Sequence, residues 1–259
     1  MNQIFNHAPT HELQARDAAH HMHPFTAQGQ LAEKGARVIT AANGVFVYDS
    51  DGEKILDAMA GLWCVNIGYG REELADVAHR QMKQLPYYNT FFQTTHIPAI
   101  ELSERIANLA PADLNHVFYA GSGSEANDTN IRMVRHYWAV KGKPQKSIII
   151  SRKNAYHGST VGGGSLGGMS AMHEQGGMPI PDIHHINQPN WWSEGGDMTP
   201  EDFGRARAAE LEEAIKPSTG VRCIHCLRCL FSKDRTGASP PTVLNTEISR
   251  WSQEMIDAN

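Results

Sequence analysis

The chain has 259 residues, a formal net charge of −5 and 41% hydrophobic residues, an ordinary balance for a soluble globular protein of one large or two modest domains. The negative charge gives no reason to expect a nucleic acid or an anionic membrane surface as a partner. No apolar run reaches the roughly 20 residues of a membrane span. The N-terminus lacks the pattern of a secretory signal, and four cysteines do not suggest a disulfide framework. These features predict a cytoplasmic protein.

The first 24 residues are polar and rich in histidine, with His20, His21 and His23 close together before Pro24. Imidazoles bind metal ions, but this spacing matches no standard set of ligands. We therefore expect a surface segment at the N-terminus and no metal site.

Residues 44–57 are predicted to form a β-hairpin, because two apolar stretches flank the turn-forming residues Asp49–Gly52. The apolar, small-residue-rich stretch 58–70 is predicted to be a close-packed loop. Two amphipathic helices are predicted next, at 71–85 and 97–109. In the second helix we expect four side chains to face inward, those of Ile100, Leu102, Ile106 and Leu109.

A strand at 116–120, a helix to about Val140 and a second strand at 146–151 predict a βαβ unit, and with it an α/β fold with a parallel sheet. A further helix is predicted at 200–216. Thr199 would cap it, and the acidic residues of its first turn favour a helix start.

The strongest chemical signal is the sequence GSGSEAN at 121–127, between the predicted strand and helix. Small residues allow close approach of a phosphate, and the unpaired amides and dipole of a helix N-terminus attract an anion. Ser122 and Ser124 can add hydroxyl donors. The third glycine of a dinucleotide fingerprint and the Gly-Lys-Ser/Thr of a P-loop are both missing. A strand-to-helix turn without a ligand is the alternative.

A second signal is the sequence NAYHGST at 154–160, which follows the next strand. Loops after parallel strands emerge at one edge of the sheet, where ligands bind. Tyr156 could therefore stack on a ring whose phosphate lies at Gly123 and Ser124, an interaction worth about 1 kcal/mol beyond burial. Packing of Tyr156 on the protein body is the alternative.

These motifs belong to a longer pattern that includes HPFT (23–26), GVFVYDSDGEKILDAMAGLWCVNIGYG (44–70), PYYNTFFQTTH (86–96) and MHEQGGMPIP (172–181). Over about residues 15–217 the chain resembles class III aminotransferases, most of all the omega-amino-acid or amine:pyruvate subgroup with its putrescine:pyruvate enzymes. The resemblance implies a pyridoxal-phosphate (PLP) transferase of fold-type I that forms a homodimer. It assigns residues 1–60 to part of the small domain and 61–220 to an incomplete large domain.

The resemblance also implies roles for individual residues. Ser122, Gly123 and Ser124 would hold the cofactor phosphate, Tyr156 would stack on the pyridine ring, and His157 would border the same pocket. The substrate pocket would be lined by Phe25, Trp63 and Phe91. The implied reaction moves an amino group from an omega-amino acid, amine or polyamine to pyruvate. A 4-aminobutyrate or taurine aminotransferase is the alternative within the family, and a non-catalytic protein is the alternative outside it.

The chain departs from the family after about residue 220. The family continues with a buried strand close to Val-Ala-Ala-Phe-Ile-Ala-Glu-Pro, then an Asp that pairs with the pyridine nitrogen and a lysine that carries the cofactor as a Schiff base. None of these is present, and the nine lysines include none in that context. The sequence therefore predicts a truncated chain without catalytic residues.

The tail at 221–259 instead contains Cys223, Cys226 and Cys229, spaced as in part of an iron–sulfur site. A metal-binding tail is one interpretation. The other is a reading-frame shift, because codons for Arg-Cys-Ile-His-Cys at 222–226, displaced by one base, can encode Ala-Ala-Phe-Ile-Ala. In either case we expect the parallel sheet to lose its central strand, which would leave an unpaired edge and an uncovered face.

Overall fold

The computed structural model describes residues 7–111 and 114–215, together with the backbone of 223–226. The chain divides into two compact units, Met1–Arg105 and Ile106–Asn259. No helix within these described ranges combines the length and the apolar character that crossing a membrane requires.

The first unit contains a three-stranded antiparallel sheet with helices before and after it. The elements in chain order are α1 Thr10–His20, α2 Gln28–Lys34, β1 Ile39–Asn43, β2 Phe46–Asp49, β3 Lys54–Leu56, the single turn α3 Ala60–Trp63, α4 Glu72–Gln84 and α5 Ile97–Leu109, whose end lies past residue 105. The strands lie in the order β1-β2-β3.

The predicted hairpin is confirmed as β2 and β3, which pair with Phe46 opposite Leu56 and Tyr48 opposite Lys54. The buried carboxylate of Asp49 closes the turn, because its Oδ1 accepts hydrogen bonds from the amides of Asp51 (3.1 Å) and Glu53 (2.9 Å). Strand β1, which the sequence reasoning missed, pairs with β2 on its other side.

Helices α4 and α5 confirm the two predicted amphipathic helices, but the expected inward packing of α5 is wrong. Its apolar side chains are exposed, with Ile100 at 53%, Leu102 at 48%, Ile106 at 38% and Leu109 at 86% of their full accessibility. The apolar stripe of α4 is similarly open at Leu74, Val77 and Met82. Periodicity identifies the apolar face of a helix, but it does not supply the surface that covers that face.

The second unit is an α/β arrangement around a parallel sheet. Its elements are α6 Gly123–Val140, β4 Ile148–Arg152, α7 Val161–Leu166, α8 Ser170–His173, β5 Ile183–Ile186, α9 Trp191–Glu194, α10 Pro200–Ile215 and β6 Cys223–Cys226. The strands lie in the order β5-β4-β6, and both neighbours run parallel to β4. The predicted parallel sheet is therefore confirmed, with β5 as a strand that the sequence reasoning did not identify.

The predicted strand at 116–120 is wrong, because these residues form no strand. Phe118 and Tyr119 remain 68% and 46% exposed. A strand needs a neighbouring backbone with which to exchange hydrogen bonds, and none of the described strands pairs with this segment. The helix expected to follow it forms nonetheless, as α6.

The central strand β4 is covered on both faces. On one face Ile150 packs with Ala208, Leu211 and Ala214 of α10. On the other face Ile149 packs with Ile131 of α6 and Leu166 of α7.

The sheet was expected to lose the strand that follows residue 220. This expectation is wrong, because β6 pairs with β4 along Ile148–Ile150. Backbone groups form this ladder, so Cys and His residues can take part where an apolar run was expected. Cys229 and most of the tail lie outside the described residues.

Candidate cofactor and substrate site

The glycine- and serine-rich turn leads directly into α6, as predicted. Ser122 caps the helix, and its Oγ accepts a hydrogen bond from the amide of Glu125 at 3.1 Å. Glu125 reaches back and accepts a hydrogen bond from the amide of Gly121 at 2.7 Å. This reciprocal arrangement resembles a capping box and fixes the start of the helix.

The geometry of the turn suits a phosphate group. A Cβ atom built on Gly123 would meet nothing within 4 Å, so the space beside the first helical turn is open. Amides of the first turn have no carbonyl partner within their own helix. The hydroxyl of Ser122 acts as an acceptor towards Glu125, which leaves its own proton for an anion.

The loop after β4 lies against the beginning of α6. The amide of Ser159 donates to Ser124 Oγ at 3.1 Å, and the side-chain amide of Asn127 donates to the carbonyl of His157 at 2.7 Å. Gly158 has a φ of +133°, and a Cβ there would lie only 2.9 Å from Ser124 Cα. Only glycine allows the two segments to approach so closely.

Asp128 makes a second connection between the same segments, which the sequence reasoning missed. Its Oδ1 accepts hydrogen bonds from Thr160 Oγ1 at 2.7 Å and from the amide of Gly163 at 2.9 Å. Thr160 in turn caps α7. The predicted phosphate turn and the predicted aromatic loop are thus held together by several side chains of α6.

Tyr156 and His157 occupy this loop and differ in exposure. Tyr156 is 51% exposed, so part of its ring surface is open to a ligand. His157 Nε2 is buried and has no hydrogen-bond partner among the described residues. Burial lowers the pKa of His157, and the nearby charges of Arg152 and His185 lower it further. The imidazole is therefore held in its neutral form.

The three predicted pocket aromatics all belong to the first unit. Phe25, Trp63 and Phe91 are 71%, 64% and 70% exposed. They are not core side chains, which is the role that such residues usually have. Their exposure is compatible with lining a substrate pocket.

Trp63 ends an unusual turn in which four consecutive residues, Ala60 to Trp63, have positive φ angles between 48° and 71°. Left-handed conformations cost roughly 1–2 kcal/mol for each non-glycine residue. Asp57 stabilises the turn, because its carboxylate accepts hydrogen bonds from the amides of Met59 (3.2 Å) and Gly61 (2.7 Å). Tyr69 also donates its hydroxyl proton to Asp57, at 2.7 Å.

Comparison with known proteins gives consistent results at the level of sequence and of structure. The family model "Aminotransferase class-III" matches residues 29–219. The chain is 62% identical over 215 residues to the putrescine–pyruvate aminotransferase of Pseudomonas aeruginosa, covering 83% of this chain and 47% of that relative. It is 41% identical over 191 residues to the beta-alanine–pyruvate aminotransferase of the same species, covering 73% and 42% of the two chains.

Solved omega-transaminases share the fold. The (S)-enantioselective enzyme from Thermomicrobium roseum superposes with a TM-score of 0.84 at 35% identity, over 94% of this chain and 54% of that one. The Pseudomonas jessenii enzyme in complex with PMP gives a TM-score of 0.85 at 32% identity, over 93% and 54%.

The chain thus spans about half the length of the curated relatives it matches. The fold is that of fold-type I PLP-dependent transaminases, as predicted. The family match extends over most of the chain and includes the turn, the loop and two of the three pocket aromatics. This chain is a member of the class III aminotransferase family.

Proposed function

We propose that this chain forms the phosphate-binding part of an aminotransferase that moves an amino group from an omega-amino acid, amine or polyamine to pyruvate. The observation that carries the proposal is the attachment of the loop with Tyr156 to the N-terminus of α6, through Ser124 and Asn127. This attachment brings anion-binding groups and an exposed aromatic ring together at one end of β4. The high identity to a putrescine–pyruvate enzyme favours pyruvate as the acceptor.

In this proposal, PLP supplies an electron sink for the carbon that bears the amine. The hydroxyls of Ser122 and Ser124 and the first amides of α6 hold its phosphate. Tyr156 presents its ring to the pyridine. The neutral imidazole of His157 adds no positive charge beside the ring.

Phe25, Trp63 and Phe91 supply apolar aromatic surface for the methylene chain of a terminal amine. Such a chain has no polar group between its ends, so apolar contact is the favourable way to bind it. The hydrogen bonds to Asp57 hold the backbone of the left-handed turn, so the position of Trp63 in the chain is fixed before the donor binds.

We further propose that the chain binds PLP without transferring amino groups, because the family's cofactor-bearing lysine and pyridine-pairing aspartate are not among its residues. Titration of the full chain with PLP, followed by fluorescence quenching, tests this idea. We expect saturable binding that inorganic phosphate displaces, weaker binding of phosphate-free pyridoxal, and no borohydride-sensitive absorbance from a lysine-bound cofactor.

Ser124→Ala should weaken PLP binding by about tenfold, as expected for loss of a hydrogen bond to a charged group. Ser193→Ala, at an exposed serine of α9, is the matched control and should bind like the unaltered chain. Equal affinities for PLP and pyridoxal, with no competition from phosphate, would contradict the assignment of the turn.

We propose that residues 221–259 are encoded in a shifted reading frame. The support is the departure of the tail from the family pattern, because the family match ends at residue 219, just before the tail begins. Sequencing of the DNA after codon 220 tests the proposal. We expect that a one-base displacement restores an Ala-Ala-Phe-Ile-Ala strand, and the lack of such a frame would reject it.

The protein expressed from the restored frame would test the proposed reaction directly. We expect it to form alanine from pyruvate with putrescine as donor, and more slowly with 4-aminobutyrate or taurine. A preference for 2-oxoglutarate over pyruvate, or for 4-aminobutyrate over putrescine, would favour another class III activity.

We also propose that this restored protein is a homodimer. The support is the resemblance to the family together with the exposed apolar faces of α4 and α5, since exposed apolar surface of this kind marks interfaces. Light scattering coupled to size exclusion should give twice the mass of one chain. A monomer at micromolar concentration would contradict the proposal.

A further inference from the structure

One side-chain cluster in the first unit has no place in the aminotransferase chemistry. Asp17, His21 and His23 each offer one possible ligand atom, and these three atoms lie within 4.8 Å of one another. Asp17 Oδ1 lies 2.9 Å from His21 Nδ1, and Asp17 Oδ2 lies 2.8 Å from His23 Nε2. His20, which the sequence had suggested as a member of a histidine group, is not part of this cluster.

The local backbone explains why these three residues meet. Asp17 lies in the last turn of α1, and His21 is the residue directly after the helix, four positions later, where its ring contacts the Asp17 carboxylate. The amide of His21 donates to the carbonyl of Asp17 at 2.8 Å and ends the helix. Gln28 donates to the carbonyl of His23 at 2.6 Å, which fixes the chain where it turns back.

We propose that Asp17, His21 and His23 form a binding site for a divalent transition-metal ion, with Zn²⁺ as the ion that best suits the ligands. Two imidazoles and one carboxylate are a common ligand set for zinc, and three protein ligands leave a fourth position for water. Magnesium and calcium would require more oxygen ligands than the cluster provides.

The exposure of the three side chains agrees with this assignment. The side chains of Asp17 and His23 are only 19% and 25% exposed, whereas His21 is 64% exposed. The cluster is therefore partly enclosed and still open to an entering ion on the side of His21.

The site is local, because all three ligands come from seven consecutive residues. Ligands this close in sequence need little ordering of the chain before the ion binds. Phe25 follows His23 by two residues, so an ion bound here would also restrain the segment that carries this aromatic residue.

Equilibrium dialysis of the full chain against Zn²⁺ tests the proposal. The four thiols are first alkylated with iodoacetamide, so that cysteines of the tail cannot contribute ligands. We expect one zinc ion per chain. Asp17→Asn, His21→Ala and His23→Ala should each weaken binding by at least about tenfold, because even residues that only support metal ligands cost that much when removed.

His20→Ala is the matched control, since it removes a neighbouring histidine outside the cluster and should leave the affinity unchanged. A thermal melt of each variant without metal shows whether the fold is intact. The proposal is overturned if the alkylated chain binds no stoichiometric zinc. It is also overturned if the three ligand variants bind zinc as tightly as His20→Ala does, which would indicate nonspecific binding to surface histidines.

Discussion

The carboxylate of Asp128 lies 2.7 Å from the hydroxyl of Thr160, although thirty-two residues separate the two along the chain. The same oxygen accepts a hydrogen bond from the amide of Gly163. This contact joins α6, which begins at the phosphate turn, to the loop that carries Tyr156. The geometry of the candidate site therefore depends on a side chain about one helical turn away from it.

We expect Asp128→Ala to destabilise the chain by about 1–3 kcal/mol, because two donors lose a charged acceptor. PLP binding should weaken in parallel, since the loop would no longer be held against α6. Urea unfolding and PLP titration measure the two effects. Asp197→Ala, at an exposed aspartate in the same unit, is the control. Equal losses of stability and of PLP affinity in both variants would show that Asp128 does not hold the loop against α6.

We expect Gly158→Ala to destabilise the fold by more than the strain of placing alanine at a positive φ. The new Cβ would meet Ser124 Oγ at 2.5 Å and Ser124 Cα at 2.9 Å. Gly176→Ala is a matched control, because Gly176 also has a positive φ (+86°) but nothing within 4 Å of its Cβ position. We expect Gly158→Ala to cost about 1–3 kcal/mol more than Gly176→Ala. Similar urea midpoints for the two variants would disprove the close packing.

We expect the free energy of unfolding to decrease as the pH is lowered, because two histidines of the second unit become protonated less readily in the folded state than in the unfolded state. Burial lowers the pKa values of His157 and His185 below their ordinary range. Between the lowered folded pKa and the unfolded pKa of about 6.5, the unfolded state binds more protons. The free energy of unfolding is therefore unaffected by these histidines above the unfolded pKa, and it decreases as the pH falls towards the pKa values of the folded state.

Urea unfolding between pH 8 and pH 5 measures this effect, with a slope of at most about 1.4 kcal/mol per pH unit for each histidine. His185→Gln should reduce the slope. His136→Gln, at an exposed position of the same unit, should leave it unchanged. A slope that is identical in all three proteins would rule out the proposed origin of the pH dependence.

Tyr69→Phe should loosen the turn that presents Trp63, because it removes the hydroxyl donor to Asp57. Hydrogen exchange of the amides of residues 59–63 measures this change. We expect exchange about fivefold faster, corresponding to the loss of one ordinary hydrogen bond. Tyr88→Phe, at a half-exposed tyrosine, should not change these rates, and unchanged rates in Tyr69→Phe would contradict the role of the Asp57–Tyr69 contact.

Local patterns in the sequence predicted much of this fold. Capping residues and apolar periodicity identified α4, α5, α6 and α10 within a few residues. Asp49 and Gly52 marked the hairpin turn, and Gly142, with a φ of +73°, follows the end of α6 as expected. Each of these features depends on neighbours in sequence, which is why a single chain is sufficient to recognise them.

Features that depend on distant partners could not be recognised in this way. The apolar stretch 116–120 has the composition of a strand, but pairing partners decide whether a strand forms. Asn127 and Asp128 resembled ordinary helical residues, since the loop that they bind begins about thirty residues later. Asp17 likewise gave no signal, because its relation to His23 depends on how the chain turns after α1.

Strand β6 lies beside β4 in a parallel pairing. Backbone amides and carbonyls are the same in every residue except proline, so the edge of a parallel sheet acts as a template that recognises a chain's backbone more than its side chains. Ile148 accordingly lies opposite Cys223, and Ile150 opposite Cys226. A segment with very different side chains can thus still pair with β4 as a strand, since the ladder depends on the spacing of backbone groups.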